Sequence, residues 1–493
     1  MTVLSRLTSK IVVAAVALFF SAVIFLGQTA IPIPGQQGQG GAPGQQGQGA
    51  RGGQRGQRGA QQPAAPVKQV VAPAATAMEV TGPGPFFETF MDSHDDEKNV
   101  QVPAKDVYAR YTYEAKEYFV SGTTSQDQPY KTRIVIRKPK DNSRVSGLIL
   151  AESMHPSGNP WVFHNTHVYS MTNGVIGLEM LTGDSPGLVA SNEARYKDLV
   201  LPAGSANDII AQVGALMKSQ RTDNPLRSLA VREMILTGQS ASAGVAQNYL
   251  SNAHMVQRLA DMKPIYDGMM PTSNNGQIPV LDIPTILVPT MRETAQGTGT
   301  VQKDNDKLRV YEFAGMAHID SRVAGAYYPD PCKSPISRLP NGMLISVALD
   351  KLFAWIDKGV TPPRADRFYM DLNEDNDGAL FALDESGNVK GGIRNTYVDV
   401  PTKSFHAGNA GAEPPVSNAN PWVANRGADG INQLCGLANY ETALGKDQLR
   451  KLYKDPKTYY NKVVQRYDEL VKEGWALPIY RAMILAEAAK VTF

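Results

Sequence analysis

Ser240 lies in the string Gly238-Gln239-Ser240-Ala241-Ser242, after the apolar run Met234–Thr237 (MILT) and before the helical stretch AGVAQNYLSNAHMV. A serine on a tight strand-to-helix turn among small residues can present its hydroxyl as a nucleophile. The small neighbours matter because such a turn holds the serine at strained backbone angles while other chain passes close. A serine hydroxyl is a weak nucleophile until a base takes its proton. His318, in FAGMAHID, is the candidate base. Glu293, in VPTMRET, is the candidate acid that would orient the imidazole and stabilise the imidazolium. Asp282, Asp304 and Asp306 are weaker candidates: Asp282 precedes a predicted strand, and the other two lie in a polar loop. An oxyanion formed on a carbonyl substrate needs two N–H donors. The N–H of Ala241 is one candidate; Ser153, Met154 or His155 would supply the second, with Met154 favoured. The bland alternative is a helix start at which Ser240 or Ser242 caps and no chemistry occurs.

These residues need elements to bring them together. Val107–Val120 and Arg133–Lys138 are rich in β-branched and aromatic residues and predict strands. The short apolar runs Leu148–Glu152, Val175–Met180 and Met234–Thr237 predict strands buried on both faces. Ile265–Met270, Pro284–Val288 and Leu308–Phe313 continue the series. Helices are predicted between them, at Trp161–Thr172 and in IIAQVGALMKS. The fold class is therefore α/β, with a mostly parallel central sheet flanked by helices. Ser240, Glu293 and His318 each follow a predicted strand, in the chain order Ser, acid, His. Asp447–Phe493 has the three-to-four apolar spacing of helices.

The 493 residues carry 49 basic and 47 acidic side chains, and this balance argues against a protein that neutralises many nucleic-acid phosphates. The charge is unevenly placed: residues 1–78 hold six basic residues and no acid, leaving the remainder at −4. Arg6 and Lys10 precede the apolar run Ile11–Leu26. Residues 1–30 thus predict either a cleaved export signal or an uncleaved membrane anchor through residues 11–26. Export implies a periplasmic or secreted protein. Residues 31–78, rich in Gly, Gln and Pro, predict a disordered linker. A catalytic unit then spans 79–365, and 366–493 forms a C-terminal extension packed on it.

Cys332 and Cys435 are the two cysteines. In an exported protein, pairing is the default expectation. His155, His164 and His167 lie close in sequence but lack a paired carboxylate pattern, so no metal is predicted, and the serine chemistry requires no cofactor. His155 and Trp161 are candidate substrate contacts. Phe163 and Tyr169 follow the same loop and could line the pocket with Trp161, though core packing is the better reading for at least one of the three. Arg394, in GGIRNTYVDVP, could meet an anionic substrate group; a surface ion pair is the competing reading.

Beyond these local signals, the chain resembles a family of bacterial α/β-hydrolase-domain proteins with an elbow of the type G-x-S-Q-S-G. The segments LILAESMHPSG, RYKDLVLPAGSANDIIAQVGALM, VPTMRET, FAGMAHID, GNVKGGIRNTYVDVP and LCGLANYETAL carry the resemblance, which covers roughly residues 80–490. Ala241 stands where the family has glutamine, Ala243 where it has glycine, Glu293 where aspartate is common and His155 where asparagine is usual. The resemblance implies an α/β-hydrolase fold and hydrolase chemistry on a carboxylic ester, small or polymeric. The same three residues could serve an amidase or peptidase, and the fold could also host a non-catalytic, envelope-tethered binding protein. Oligomeric state is not legible.

Overall fold

The computed structural model describes residues 68–82, 88–91, 101–295, 302–321, 331–372, 379–413 and 427–493. The predicted signal or anchor (1–30) and the linker up to residue 67 lie outside the described residues. A nine-stranded sheet organises the molecule. Its strands in chain order are β1 (Thr76–Glu79), β2 (Tyr113–Thr123), β3 (Pro129–Pro139), β4 (Leu148–Ser153) and β5 (Ile176–Met180). They continue with β6 (Glu233–Gln239), β7 (Gly268–Thr272), β8 (Thr285–Leu287) and β9 (Leu308–Val310). Across the sheet the order is β9-β8-β7-β6-β4-β5-β3-β2-β1. From β5 to β9 every neighbouring pair is parallel, while β1, β2, β3 and β5 pair antiparallel at the other edge. The fold is α/β with a mixed, mostly parallel sheet, as the alternation of strand and helix signals required.

Period-two alternation sorts the inner strands between two cores. Leu150, Ile235, Met270 and Ile286 face one side and pack with Met343, Ile345 and Leu349 of the long helix Asn341–Lys358. Ile149, Ala151, Met234, Leu236, Met269 and Leu287 face the other side. There they meet Ile209, Val213 and Leu216 of the helix Ala206–Met217 and Ala246 of the helix after Ser240. Both faces are thus covered, which explains why these strands read as apolar runs rather than alternating ones. The C-terminal helices Lys446–Tyr453, Pro456–Glu473 and Arg481–Ala489 contribute Leu449, Tyr467 and Ile484 to the first of these cores. No separate core marks residues 366–493 off from the sheet on this side.

Three expectations are corrected. Ala104–Tyr111 is a helix that ends at Thr112 in the left-handed conformation, φ 57°, so the strand predicted over Val107–Val120 begins only at Tyr113. Ala104, Val107, Tyr108 and Tyr111 fall at helical spacing and all touch the core, which overrides the β preference of the aromatics. Trp161–Thr172 is two short helices, Trp161–Asn165 and His167–Thr172. The end of the predicted linker is ordered: Val70–Val71 pairs with Gln257–Arg258, and Thr76–Glu79 is the edge strand of the sheet. Ala72 and Ala75 are buried there, so small residues that read as linker serve close packing.

Candidate active site

Ser240 joins β6 to the helix Ala241–Tyr249 with backbone angles φ 57° and ψ −117°. A non-glycine residue rarely adopts such a conformation, and it persists only where the surroundings over-determine it. Here the Ser240 N–H donates to Thr272 O at 3.0 Å. Ser242 Oγ accepts the Gln239 N–H and donates to Gln239 O, both at 2.9 Å, closing the turn from beneath. Gly238 is obligatory for space: a Cβ there would lie 2.4 Å from the carbonyl carbon of Ser242. The Ala241 N–H, at the helix start, has no partner among the described residues.

Glu293 lies in the short helix Met291–Ala295, which follows β8. Its Oε1 is 2.6 Å from His318 Nδ1. Its Oε2 accepts the Thr290 N–H at 3.0 Å and the Thr290 hydroxyl at 2.5 Å. Thr290-Met291-Arg292-Glu293 has the spacing of a capping box and makes its returning half, in which the third helical residue accepts the cap N–H; the Thr290 hydroxyl is given to the same carboxylate. Burial would raise the Glu293 carboxyl, but the facing charge of His318 and the hydrogen bonds from His318 and Thr290 outweigh it and hold it at about 2. The carboxylate is thus ionised at neutral pH and points at the imidazole nitrogen that must keep its proton.

The His318 loop is held on several sides. Asn341 takes the Ala317 N–H on Oδ1 at 3.2 Å and donates to Ala317 O at 2.7 Å. Ile319 N–H donates to Leu437 O at 3.2 Å, Asn439 Nδ2 to Met316 O at 3.3 Å and Asn395 Nδ2 to Ala314 O at 2.8 Å. Three of these partners lie in the C-terminal segment, which is thus part of the site's frame. Gln239 links the two halves: its side-chain oxygen accepts from Asn165 Nδ2 at 2.8 Å, and its Nε2 donates to His318 O at 3.2 Å. Asn274 Nδ2 reaches Ser240 O at 3.5 Å, and Asn275 Nδ2 donates to Glu293 O at 2.7 Å. No hydrogen bond joins Ser240 Oγ to His318, and among the described residues His318 Nε2 has no partner. Catalytic hydrogen bonds of this kind commonly tighten only when substrate is bound.

A family profile described as an alpha/beta hydrolase domain matches residues 80–486. The chain belongs to that family. It is accordingly a hydrolase of the α/β-hydrolase superfamily. A search of curated proteins gave no match. Among solved structures, the chain is similar to a ferulic acid esterase from Streptomyces cinnamoneus (11% identity, 52% of this chain and 92% of that one, TM-score 0.33). It is similar also to a dienelactone hydrolase from Anabaena variabilis (14% identity, 36% and 74%, TM-score 0.24). A third is an a/b serine hydrolase without lid from Xanthomonas campestris (9% identity, 40% and 83%, TM-score 0.26). Nothing about substrate follows from likenesses this distant.

In this alpha/beta hydrolase several expected contacts fall elsewhere. The Met154 N–H, the favoured second oxyanion donor, is already given to Met180 O at 2.7 Å. The chain continues the pairing of β4 with β5 one residue past Ser153, which turns that N–H away from the site. The His155 N–H is likewise spent, on Asn159 O at 3.1 Å. Arg394 does not reach the site. It donates to Asp384, Asp399 and the carbonyls of Val389 and Val398, all within ten residues of itself. The ion-pair reading holds there, because the guanidinium finds its acceptors in the neighbouring chain on either side of it. Phe163 is core, packed over Gly177, and Tyr169 is core with its hydroxyl on Asp350. His164 pairs with Glu88 and His167 Nδ1 with His164 O.

His155 and Trp161 stay beside the site. Trp161 packs against the cluster of Ile319, Cys332, Ile336, Leu434 and Cys435, next to His318. The disulfide Cys332–Cys435, expected from the sequence, is the centre of that cluster. Burial, and then the neighbouring charge of His318, push the His155 imidazole down to about 3. Glu152 explains how this loop is fixed. It stands in β4 and accepts the backbone N–H groups of Val162 and Phe163, at 3.0 and 3.1 Å, at the start of the helix that follows.

Proposed function

We propose that this hydrolase cleaves carboxylic esters through an acyl-enzyme, with Ser240 as nucleophile, His318 as base and Glu293 as the acid that orients it. The observation that carries this reading is one convergence. A serine held at φ 57° between strand and helix is tied through Gln239 to a histidine whose Nδ1 faces a buried carboxylate. In the first step Ser240 Oγ attacks the ester carbonyl while its proton passes to His318 Nε2. The imidazolium returns that proton to the departing alcohol as the tetrahedral intermediate collapses to the acyl-enzyme. Water then attacks, again giving its proton to His318, and the carboxylic acid leaves as Ser240 Oγ recovers the proton. The Ala241 N–H, directed by a helix start, is one donor to the oxyanion.

The substrate is a small or polymeric ester, and the alternative is an amide. A fluorophosphonate probe tests the nucleophile: covalent mass gain in the wild type and none in Ser240→Ala supports the reading, and a folded but unlabelled wild type ends it. Rates on p-nitrophenyl esters against p-nitroanilides then separate ester from amide hydrolysis. We also propose that the protein is exported, by a cleaved signal within residues 1–30 or an anchor through residues 11–26. The mass of the exported chain decides between these two.

A further inference from the structure

We propose that the second donor to the oxyanion is a side chain, the Nε2–H of His155, in place of the backbone N–H that the β4 loop withholds. The assignment rests on the triad reading above and adds a catalytic residue to it. The hydrogen bonds around His155 fix its tautomer. Ser157 N–H donates to His155 Nδ1 at 3.1 Å, so that nitrogen is an acceptor and carries no proton. Trp161 Nε1–H donates to Ser157 Oγ at 2.9 Å, which leaves the Ser157 hydroxyl proton to point at His155 Nδ1, 2.8 Å away. With both donors on Nδ1, the proton of a neutral imidazole must sit on Nε2. Among the described residues that Nε2 has no partner.

Its place in the sheet is right for the task. β4 and β6 are adjacent and parallel, with Glu152 opposite Thr237. Three residues further along each chain stand His155 and Ser240, so the two loops leave the same sheet end side by side. His155 is also near enough to His318 to feel its charge. A donor that stays neutral when His318 becomes an imidazolium adds no like-charge repulsion at the moment the oxyanion forms. Meanwhile the backbone donors nearest the strand end, from Met154 to Gly158, are spent: Met154 on Met180 O, His155 on Asn159 O, Ser157 on the imidazole and Gly158 on His155 O. The chain Trp161–Ser157–His155 thus acts as a relay that aims one N–H, with Trp161 anchored on the disulfide cluster.

The test uses the full chain and the rate of phosphonylation by a fluorophosphonate, whose P=O oxygen occupies the oxyanion position. His155→Phe keeps the ring and removes the donor, and its phosphonylation rate is expected to fall by about 100-fold or more. His155→Gln, which offers an N–H at similar reach, is expected to recover most of that loss. Nitrogen NMR of the wild type at pH 7 is expected to show His155 neutral with the proton on Nε2; a proton on Nδ1 overturns the assignment even if His155→Phe fails to fold. If Ser240→Ala abolishes labelling while folded His155→Phe reacts within about threefold of wild type, the oxyanion assignment fails and the triad stands. If Ser240→Ala still labels, the triad reading itself fails, and this one with it.

Discussion

Glu293 divides its carboxylate between two partners, with Oε1 2.6 Å from His318 Nδ1 and Oε2 held by the backbone and hydroxyl of Thr290. The oxygen that faces His318 is therefore positioned by the bonds from Thr290 at the start of the same helix. A glutamate, rather than a shorter acid, fits because the third helical residue must span back to the cap and still present a second oxygen outward.

Glu293→Gln should keep the fold and place an amide against His318 Nδ1. The expected loss in kcat is on the order of 10³–10⁴-fold, because the imidazole loses its orienting anion. Thr290→Val, which removes the hydroxyl donor to Glu293 Oε2, should cost about 1 kcal/mol of stability and lower kcat more than KM. Steady-state rates on a p-nitrophenyl ester and urea melts check both.

The Glu293 carboxyl titrates at about 2 in the folded chain, below its ordinary 4.5. A lowered carboxyl contributes stability that is present above its unfolded pKa and lost as pH falls through its folded one. Wild type should lose that contribution, about 3 kcal/mol, between roughly pH 4.5 and pH 2. Glu293→Gln should show a shallower decline over that window in a pH series of urea melts.

Burial drives the Glu152 carboxyl the other way, to about 8, against the pull of the Val162 and Phe163 N–H groups. The folded state then binds more protons than the unfolded one between about pH 4.5 and 8, so stability falls as pH rises across that range. Glu152→Gln, which keeps an acceptor oxygen, should flatten this slope. Thermal midpoints from pH 5 to 9 measure it, and an unchanged slope would remove Glu152 as its source.

Ser240→Gly and Ser240→Ala should both be inactive yet differ in stability. At φ 57° and ψ −117° glycine is unstrained and alanine is not, so the glycine variant should be more stable by about 1–3 kcal/mol. Equal melting temperatures would mean that the turn stores no strain at this residue.

Cys332→Ser with Cys435→Ser should destabilise the chain by about 2–5 kcal/mol, since the bond closes a long loop. It should also raise KM or lower kcat, because Trp161 and Ile319 rest on the disulfide and flank Ser157 and His318. Rates after mild reduction, measured below the melting transition, separate the two effects.

Much of the candidate site was legible because its signals are local. Ser240 announces itself by a buried strand, small residues and a helix in one short string. Glu293 and His318 follow from chain order after successive strands. The spacing Thr290-x-x-Glu293 is also a local pattern, and the bonds from Thr290 to the carboxylate explain the acid's placement better than order alone. What escaped depends on neighbours far along the chain. Met154 fails as a donor only because Met180 O lies across from it. Asn341, Asn395 and Asn439 are ordinary polar residues until the fold sets them around the His318 loop. The helix at Ala104–Tyr111 was hidden because aromatics spaced for a helical face are also good strand formers, and only the core behind them decides.

The entry of the chain along one sheet edge has a mechanical consequence. Tension on the N-terminal side would reach the molecule first at Val70–Val71, held beside Gln257–Arg258, and next at β1, whose one strand neighbour among the described residues is β2. Both ladders are short and would part before anything deeper. Ser240 ends a strand five places further across the sheet, so a molecule tugged by its leading end would yield at a sacrificial hem while the turn under the serine stayed in register.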